Sequence, residues 1–149
     1  MYFLPSFNLI KERISMKKTL LVLSMVLLLS GCTHLTRQEE IELRQLASQG
    51  ITVDRPAGNF EKPAEPIVAG ALNILPGIGN FYLAMGNASD SNHGIYGFLN
   101  LLTWPFSIIW GVPEAAIDAK KINERELLYY YKYDKQGKKD AIKNNIIFE

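Results

Sequence analysis

Apolar positions fall in three blocks along the chain, Leu20 to Leu29, Ile67 to Met85 and Ile95 to Val112, and the segments around them are charged. The first block is too short for a comfortable bilayer crossing, which takes about 20 apolar residues. The other two just reach that length. From Pro66 to Ser89 there is no charged residue, and from Ser91 to Pro113 there is only His93. Both carry a regular polar stripe. Asn73, Asn80 and Asn87 recur at a seven-residue spacing, with Gly70, Gly77 and Ala84 between them. On a helix this predicts one narrow face of small and amide side chains, opposite Ile67, Ala71, Ile74, Ile78, Phe81 and Met85. In the second run Asp90, His93, Gly97, Asn100, Trp104, Ser107, Gly111, Glu114 and Asp118 share a face in the same way.

Two such stripes predict close packing of helix on helix, because small residues let backbones approach and amides bond across the gap. The candidate packing residues are Gly70, Asn73, Gly77, Asn80, Gly97, Asn100, Ser107 and Gly111. The prolines allow the opposite outcome. Pro76-Gly77-Ile78-Gly79 reads equally as a turn that breaks the first stripe, and Pro105 and Pro113 interrupt the second.

The flanks follow simpler rules. Thr36-Arg37-Gln38-Glu39 fits a capping box, Leu43, Leu46 and Ala47 give a thin apolar stripe, and Gly50 is a natural stop, which predicts a short charged helix. Gly50 to Pro66 contains Pro56, Gly58, Pro63 and Pro66 without a sustained period and reads as an extended connector. After Pro113 the tail starts helically, with Ile117, Ile122 and Leu127 among charged residues. Tyr129, Tyr131 and Tyr133 then alternate with Tyr130, Lys132 and Asp134, and Gln136-Gly137 leaves room for a small β-hairpin closing on Ala141 to Phe148. The expected fold is therefore mainly α: a short N-terminal helix, a Pro-rich connector, an apolar helical hairpin-like unit and a charged C-terminal helix. The divisions are 1–31, a tether 32–66 with the short helix and Pro-rich linker, an apolar helical unit 67–118, and a charged, Tyr/Lys-rich segment 119–149.

Composition narrows the functional classes. A formal net charge of +1 over 149 residues creates no field for nucleic acid or an acidic substrate, so no nucleic-acid partner is expected. The single cysteine, Cys32, excludes an intramolecular disulfide and a cysteine-clustered zinc site. Its context explains it. Met16-Lys17-Lys18-Thr19 is a basic start, Leu20 to Leu29 an apolar core, and Leu29-Ser30-Gly31-Cys32 a small-residue cleavage site, the layout of a secretory signal. Met16 opens a complete signal by itself and is the expected start.

Leu29, Ser30, Gly31 and Cys32 resemble the lipobox of bacterial lipoproteins. The resemblance implies cleavage before Cys32 and lipid on its sulfur and amino group, and several acyl chains hold far more firmly than one. It also implies a periplasm-facing, lipid-anchored envelope protein. Thr33 stands where, by analogy with Gram-negative lipoproteins, an aspartate would favour inner-membrane retention, so the outer membrane is expected. Asn100 to Gly111 resembles a segment of small proteobacterial lipoproteins, which brings no activity with it.

Gly77-Ile78-Gly79-Asn80-Phe81-Tyr82-Leu83, a short polar loop, a second apolar run with Trp110, and Asp118 beyond it resemble a divergent TM2 domain, a two-helix membrane hairpin. Asn80 replaces a basic residue of that family, Ala84 a glycine, and Pro105 and Pro113 are additions. Charge opposes a full hairpin. A chain anchored at Cys32 would return its lysine-rich tail to the outer side, whereas the loop Asn87 to His93 has no lysine or arginine, the reverse of the positive-inside bias. Apolar helices lying in the interface or packed on each other are therefore expected rather than spans, with a TM2-like integral protein as the alternative.

Catalytic chemistry finds little footing. His34 and His93 are the only histidines. Asp90 and His93 lack evident third and fourth ligands for a metal. No serine lies in a Gly-x-Ser-x-Gly elbow. Glu114 and Asp118, one turn apart, read as carboxylates favoured at a helix start after Pro113. The glycines near Pro76 lack the lysine of a phosphate loop. The expectation is a non-enzymatic envelope lipoprotein with a structural or interaction role. No catalytic residue, metal or cofactor is expected beyond the covalent lipid on Cys32. The expected partners are membrane lipid and an envelope protein, and the oligomeric state stays open.

Overall fold

Six helices, and no strand among the described residues, make the chain mainly α. The computed structural model describes residues 33–86 and 92–147, all within the compact unit Cys32–Glu149. Leu29 to Cys32, Met16, Asn87 and Asp90 lie outside the described residues.

Helix α1, Arg37–Ser48, starts as its sequence dictates. Thr36 Oγ1 accepts the Glu39 N–H at 3.2 Å, and the Glu39 carboxylate accepts the Thr36 N–H at 2.6 Å. Gly50 ends the turn at φ +81°, a left-handed conformation suited to glycine. The connector that follows has no helix, only the bridge Thr52–Arg55. Helix α2, Pro66–Leu72, begins with proline at its first position, where a missing N–H costs no bond.

The apolar block Ile67 to Met85 is not one helix. Helix α2 stops at Leu72, Asn73 caps it, and α3, Ile78–Met85, begins afresh after Gly77 at φ +82°. Pro76-Gly77 is thus the turn that breaks the stripe. The block Ile95 to Val112 divides likewise into α4, Asn92–Leu102, and α5, Ile108–Tyr133, with Pro105 in the turn between them. Pro113 does not begin a helix but sits inside α5, where its ring removes one backbone bond near the helix start. Glu114 therefore lies beyond the first turn, and the expected dipole interaction at a helix start does not apply. Helix α5 also runs straight across residue 118, joining the apolar unit to the tail.

The hairpin anticipated near Gln136-Gly137 is not formed. Residues Lys135–Lys143 are helix α6, capped by Asp134, whose Oδ1 accepts the N–H groups of Gln136 at 2.8 Å and Gly137 at 2.9 Å. Gly137 serves close packing, since a Cβ there would collide with the Tyr130 carbonyl. The tyrosines accordingly follow a helical period. Tyr131 is buried and its hydroxyl donates to the Ala57 carbonyl at 2.9 Å, Tyr130 donates to Asp140 at 2.6 Å, and Tyr129 and Tyr133 stack outside with ring centroids 5.3 Å apart.

Helix α5 organises everything else: α1, α2, α3 and α6 all pack on it, while α3 also pairs with α2 and α4. Its two halves have different surroundings. Around the C-terminal half, Leu46, Ile51, Leu127, Leu128, Tyr131 and Ala141 form an ordinary apolar core under a charged surface. Around the N-terminal half, the apolar core is made of small residues, Ala64, Ala69, Ala115 and Ala119, with Leu83 and Ile122.

Candidate functional site

The N-terminal half of α5 and helices α2 to α4 are built inside out. Asn73, Asn80, His93, Asn100, Ser107, Glu114 and Asp118 are buried, whereas Ile67, Ile74, Met85, Phe98, Phe106 and Ile109 are exposed. The apolar side chains opposite the stripe therefore face outward, and the polar stripe faces in.

The stripe residues meet as follows. Asn73 Nδ2 donates to the Gly111 carbonyl, and its Oδ1 accepts the Gly79 N–H at 3.1 Å. One amide thereby joins the end of α2, the start of α3 and the start of α5. Gly111 leaves just the room this needs, because a Cβ there would stand 2.7 Å from the Asn73 amide nitrogen. Gly77 and Gly97 bring α3 and α4 together so closely that a Cβ on Gly77 would run into the Gly97 carbonyl. Gly70 faces α5 with Ala116 and the Val112 carbonyl 3.3 Å from a hypothetical Cβ. Ser107 donates to the Asn100 carbonyl at 2.7 Å, and Asn100 Oδ1 accepts the Trp110 indole N–H at 3.1 Å. Asn80 is fully buried, and neither of its side-chain polar atoms has a hydrogen-bond partner. Trp104 departs from the pattern and is exposed in the α4–α5 turn.

At one end of this seam lie His93, Glu114 and Asp118. Burial first, and the Asp118 charge after it, push the Glu114 carboxyl up to about 7 against the opposing pull of the nearby Asn100 amide. Asp118 is raised by burial as well, against the pull of the Thr33 amide and His93. His93 Nδ1 and Asp118 Oδ2 are 3.7 Å apart, too long for a hydrogen bond. Among the described residues, no group of three or more His, Cys, Asp or Glu is arranged to hold a metal ion. An open groove of about 640 Å³ between α1 and α5, lined by Leu43, Ile51, Lys62, Lys120 and Leu127 among others, lies elsewhere and contains no histidine, serine or cysteine.

The contact that sequence reasoning missed is at residue 33. The Thr33 N–H donates to Asp118 Oδ1 at 2.7 Å, and the Thr33 hydroxyl is 3.3 Å from His93 Nε2. Arg125 secures the next step, donating to the His34 carbonyl at 2.7 Å and to Glu39 at 3.2 Å. No spacing rule signals a bond across 85 residues. A second missed clasp is Asn123, which accepts the Ala64 N–H at 3.0 Å and donates to the Ala64 carbonyl at 2.6 Å, seating the connector on α5. Among the described residues, no helix is long and apolar enough to cross a membrane. No protein family, curated protein or solved structure was found to match the chain.

Proposed function

We propose that the chain is a lipid-anchored protein of the bacterial envelope, acylated at Cys32, facing the periplasm and serving a non-enzymatic structural or interaction role. The observation that carries this reading is the Thr33–Asp118 bond. The residue beside the lipobox cysteine is held inside the fold, so a lipid on Cys32 would hang from a fixed point rather than from a free linker. The sequence Leu29-Ser30-Gly31-Cys32 supplies the chemistry, and Thr33 in place of aspartate favours the outer membrane.

A TM2-like integral protein is the second reading, favoured by the close approach of Gly77 and Gly97. Against it, α3 and α4 have 8 and 11 residues, about 12 and 16 Å of helix at 1.5 Å per residue, beside a hydrocarbon core of about 30 Å.

Metabolic labelling with palmitate tests the anchor. Wild type incorporates label and is processed, and Cys32→Ala abolishes both. An alanine variant that is still labelled and matured to the same size overturns the reading.

A further inference from the structure

We infer that the outer face of α2, α3, α4 and the first turns of α5 is a lipid-inserted surface, seated in one leaflet beside the Cys32 anchor. This deepens the lipoprotein reading and takes its geometry from it. Ile67, Met85, Phe98, Leu102, Phe106 and Ile109 stand out from this face, the first at 84% exposure and the last at 78%. Isolated exposed apolar residues are ordinary, but so many of them on four successive helices mark an interaction surface.

Three observations choose lipid over protein as its occupant. The first is the inversion. Helices that bury the hydrogen-bonded side chains of Asn73, Asn100 and Ser107 while exposing isoleucine and phenylalanine are arranged for an apolar solvent, in which polar groups bond inward and small residues set the packing distance. The second is charge. The face is drawn from segments without lysine, arginine, aspartate or glutamate, whereas the ion pairs Lys121–Glu124, Arg125–Glu39 and Lys132–Glu42 all lie on the other half of α5. The third is the tether. Thr33 is tied to Asp118 and His93, and exposed Ile117 and Ile95 lie beside those residues in sequence. Only Cys32 separates this point from the lipid, so its acyl chains and the apolar face must enter the same leaflet. The short helices suit that depth and not a full crossing.

The test uses the unit Cys32–Glu149 carrying Cys32→Ala, so that no acyl chain contributes, diluted from detergent onto phosphatidylethanolamine/phosphatidylglycerol vesicles with brominated acyl chains. The unit is expected to co-sediment with the vesicles, and Trp104 fluorescence to be quenched by the bromines. Phe106→Glu and Ile109→Glu, at exposed positions that leave the buried seam intact, should each lower partitioning by about ten-fold or more. Ile142→Glu, equally exposed but on α6, should leave it unchanged. Protein that stays in the supernatant, shows no quenching, or partitions equally in all variants overturns the inference. So does a stable dimer without vesicle binding, which would assign the face to a second copy. Palmitate labelling of the full chain decides the Cys32 reading separately, so failure of one is not failure of the other.

Discussion

The Asn73 side chain bonds to the carbonyl of Gly111, and its oxygen simultaneously accepts the Gly79 N–H. A single amide thus bonds two backbone groups near helix starts that the apolar exterior shields. Replacing it by leucine keeps the branched shape but leaves the Gly79 N–H buried without a partner, which costs about 1–3 kcal/mol, and gives up the bond to the Gly111 carbonyl, worth about 1 kcal/mol. Asn73→Leu is therefore expected to lower stability by about 2–4 kcal/mol in detergent, read by thermal unfolding. A change below about 0.5 kcal/mol would mean that the amide bridges nothing of consequence.

Gly77 combines two constraints: φ at +82°, and a Cβ that would strike the Gly97 carbonyl. Gly77→Leu should therefore destabilise by at least about 3 kcal/mol, the sum of overpacking and left-handed strain. Ile74→Leu conserves volume at an exposed site and should change stability by less than about 1 kcal/mol. Ser107→Leu and Ile108→Leu form a second such pair, since Ser107 is buried against the Asn100 backbone. Equal tolerance in protease resistance and melting across both pairs would remove any structural meaning from the stripe.

The contrast between these pairs shows what the sequence makes legible. The seven-residue recurrence of asparagine marks the side on which Asn73 and Asn80 lie, although the Pro76-Gly77 turn puts them on separate helices, and the capping box at Thr36 and the stop at Gly50 follow from local chemistry alone. Period does not say whether the marked face points in or out. Elsewhere a polar stripe would be the solvated side; here Asn80 is buried and Met85 exposed, because the helices pair through their small residues. Nor does local pattern see Pro113 inside α5, where neighbouring helices hold the helix on both sides of the proline. Gln136-Gly137 looks like a turn because glycine commonly makes one. Its actual task, close approach to the Tyr130 carbonyl, depends on tertiary packing. The Thr33–Asp118 bond has no local signature whatever.

Glu114 gives the fold a pH dependence of definite sign. Its carboxyl stands at about 7 in the folded chain against an ordinary value of 4.5. A group raised by folding holds its proton more tightly in the native state, so its stabilising contribution is complete below about pH 4.5 and disappears as pH climbs through about 7. Asp118, raised in the same direction, steepens the loss. Stability should therefore fall between about pH 5 and pH 8, by an amount of order 3 kcal/mol for Glu114. Glu114→Gln should flatten most of that slope and exceed wild type in melting temperature at about pH 8. A slope identical in both proteins would place the titration elsewhere.

Asp118 provides the means to separate the tether from the fold. Its carboxylate holds the Thr33 N–H at 2.7 Å, yet its own ionisation is opposed by burial. Removing it therefore gives up one bond to the tether while relieving a buried charge, and the two effects offset each other in global stability. The expectation for Asp118→Ala is an unfolding midpoint near that of wild type, with hydrogen exchange at the Thr33 amide accelerated about ten-fold or more. Residues 33–36 should become cleavable by protease at the same time. Asp118→Asn keeps an oxygen acceptor and should retain most of the protection. Arg125→Ala, which loses the bonds to His34 and Glu39, should loosen the same segment from its other side. Exchange at Tyr131, in the apolar core around the far half of α5, serves as the internal reference and should stay slow throughout. If Thr33 and Tyr131 lose protection together, residue 33 belongs to the global folding unit and the bond to Asp118 is no independent clasp. If Thr33 alone is released, the residue beside the proposed lipid attachment point is held by one buried carboxylate, and its loss would free the proposed anchor from the apolar face.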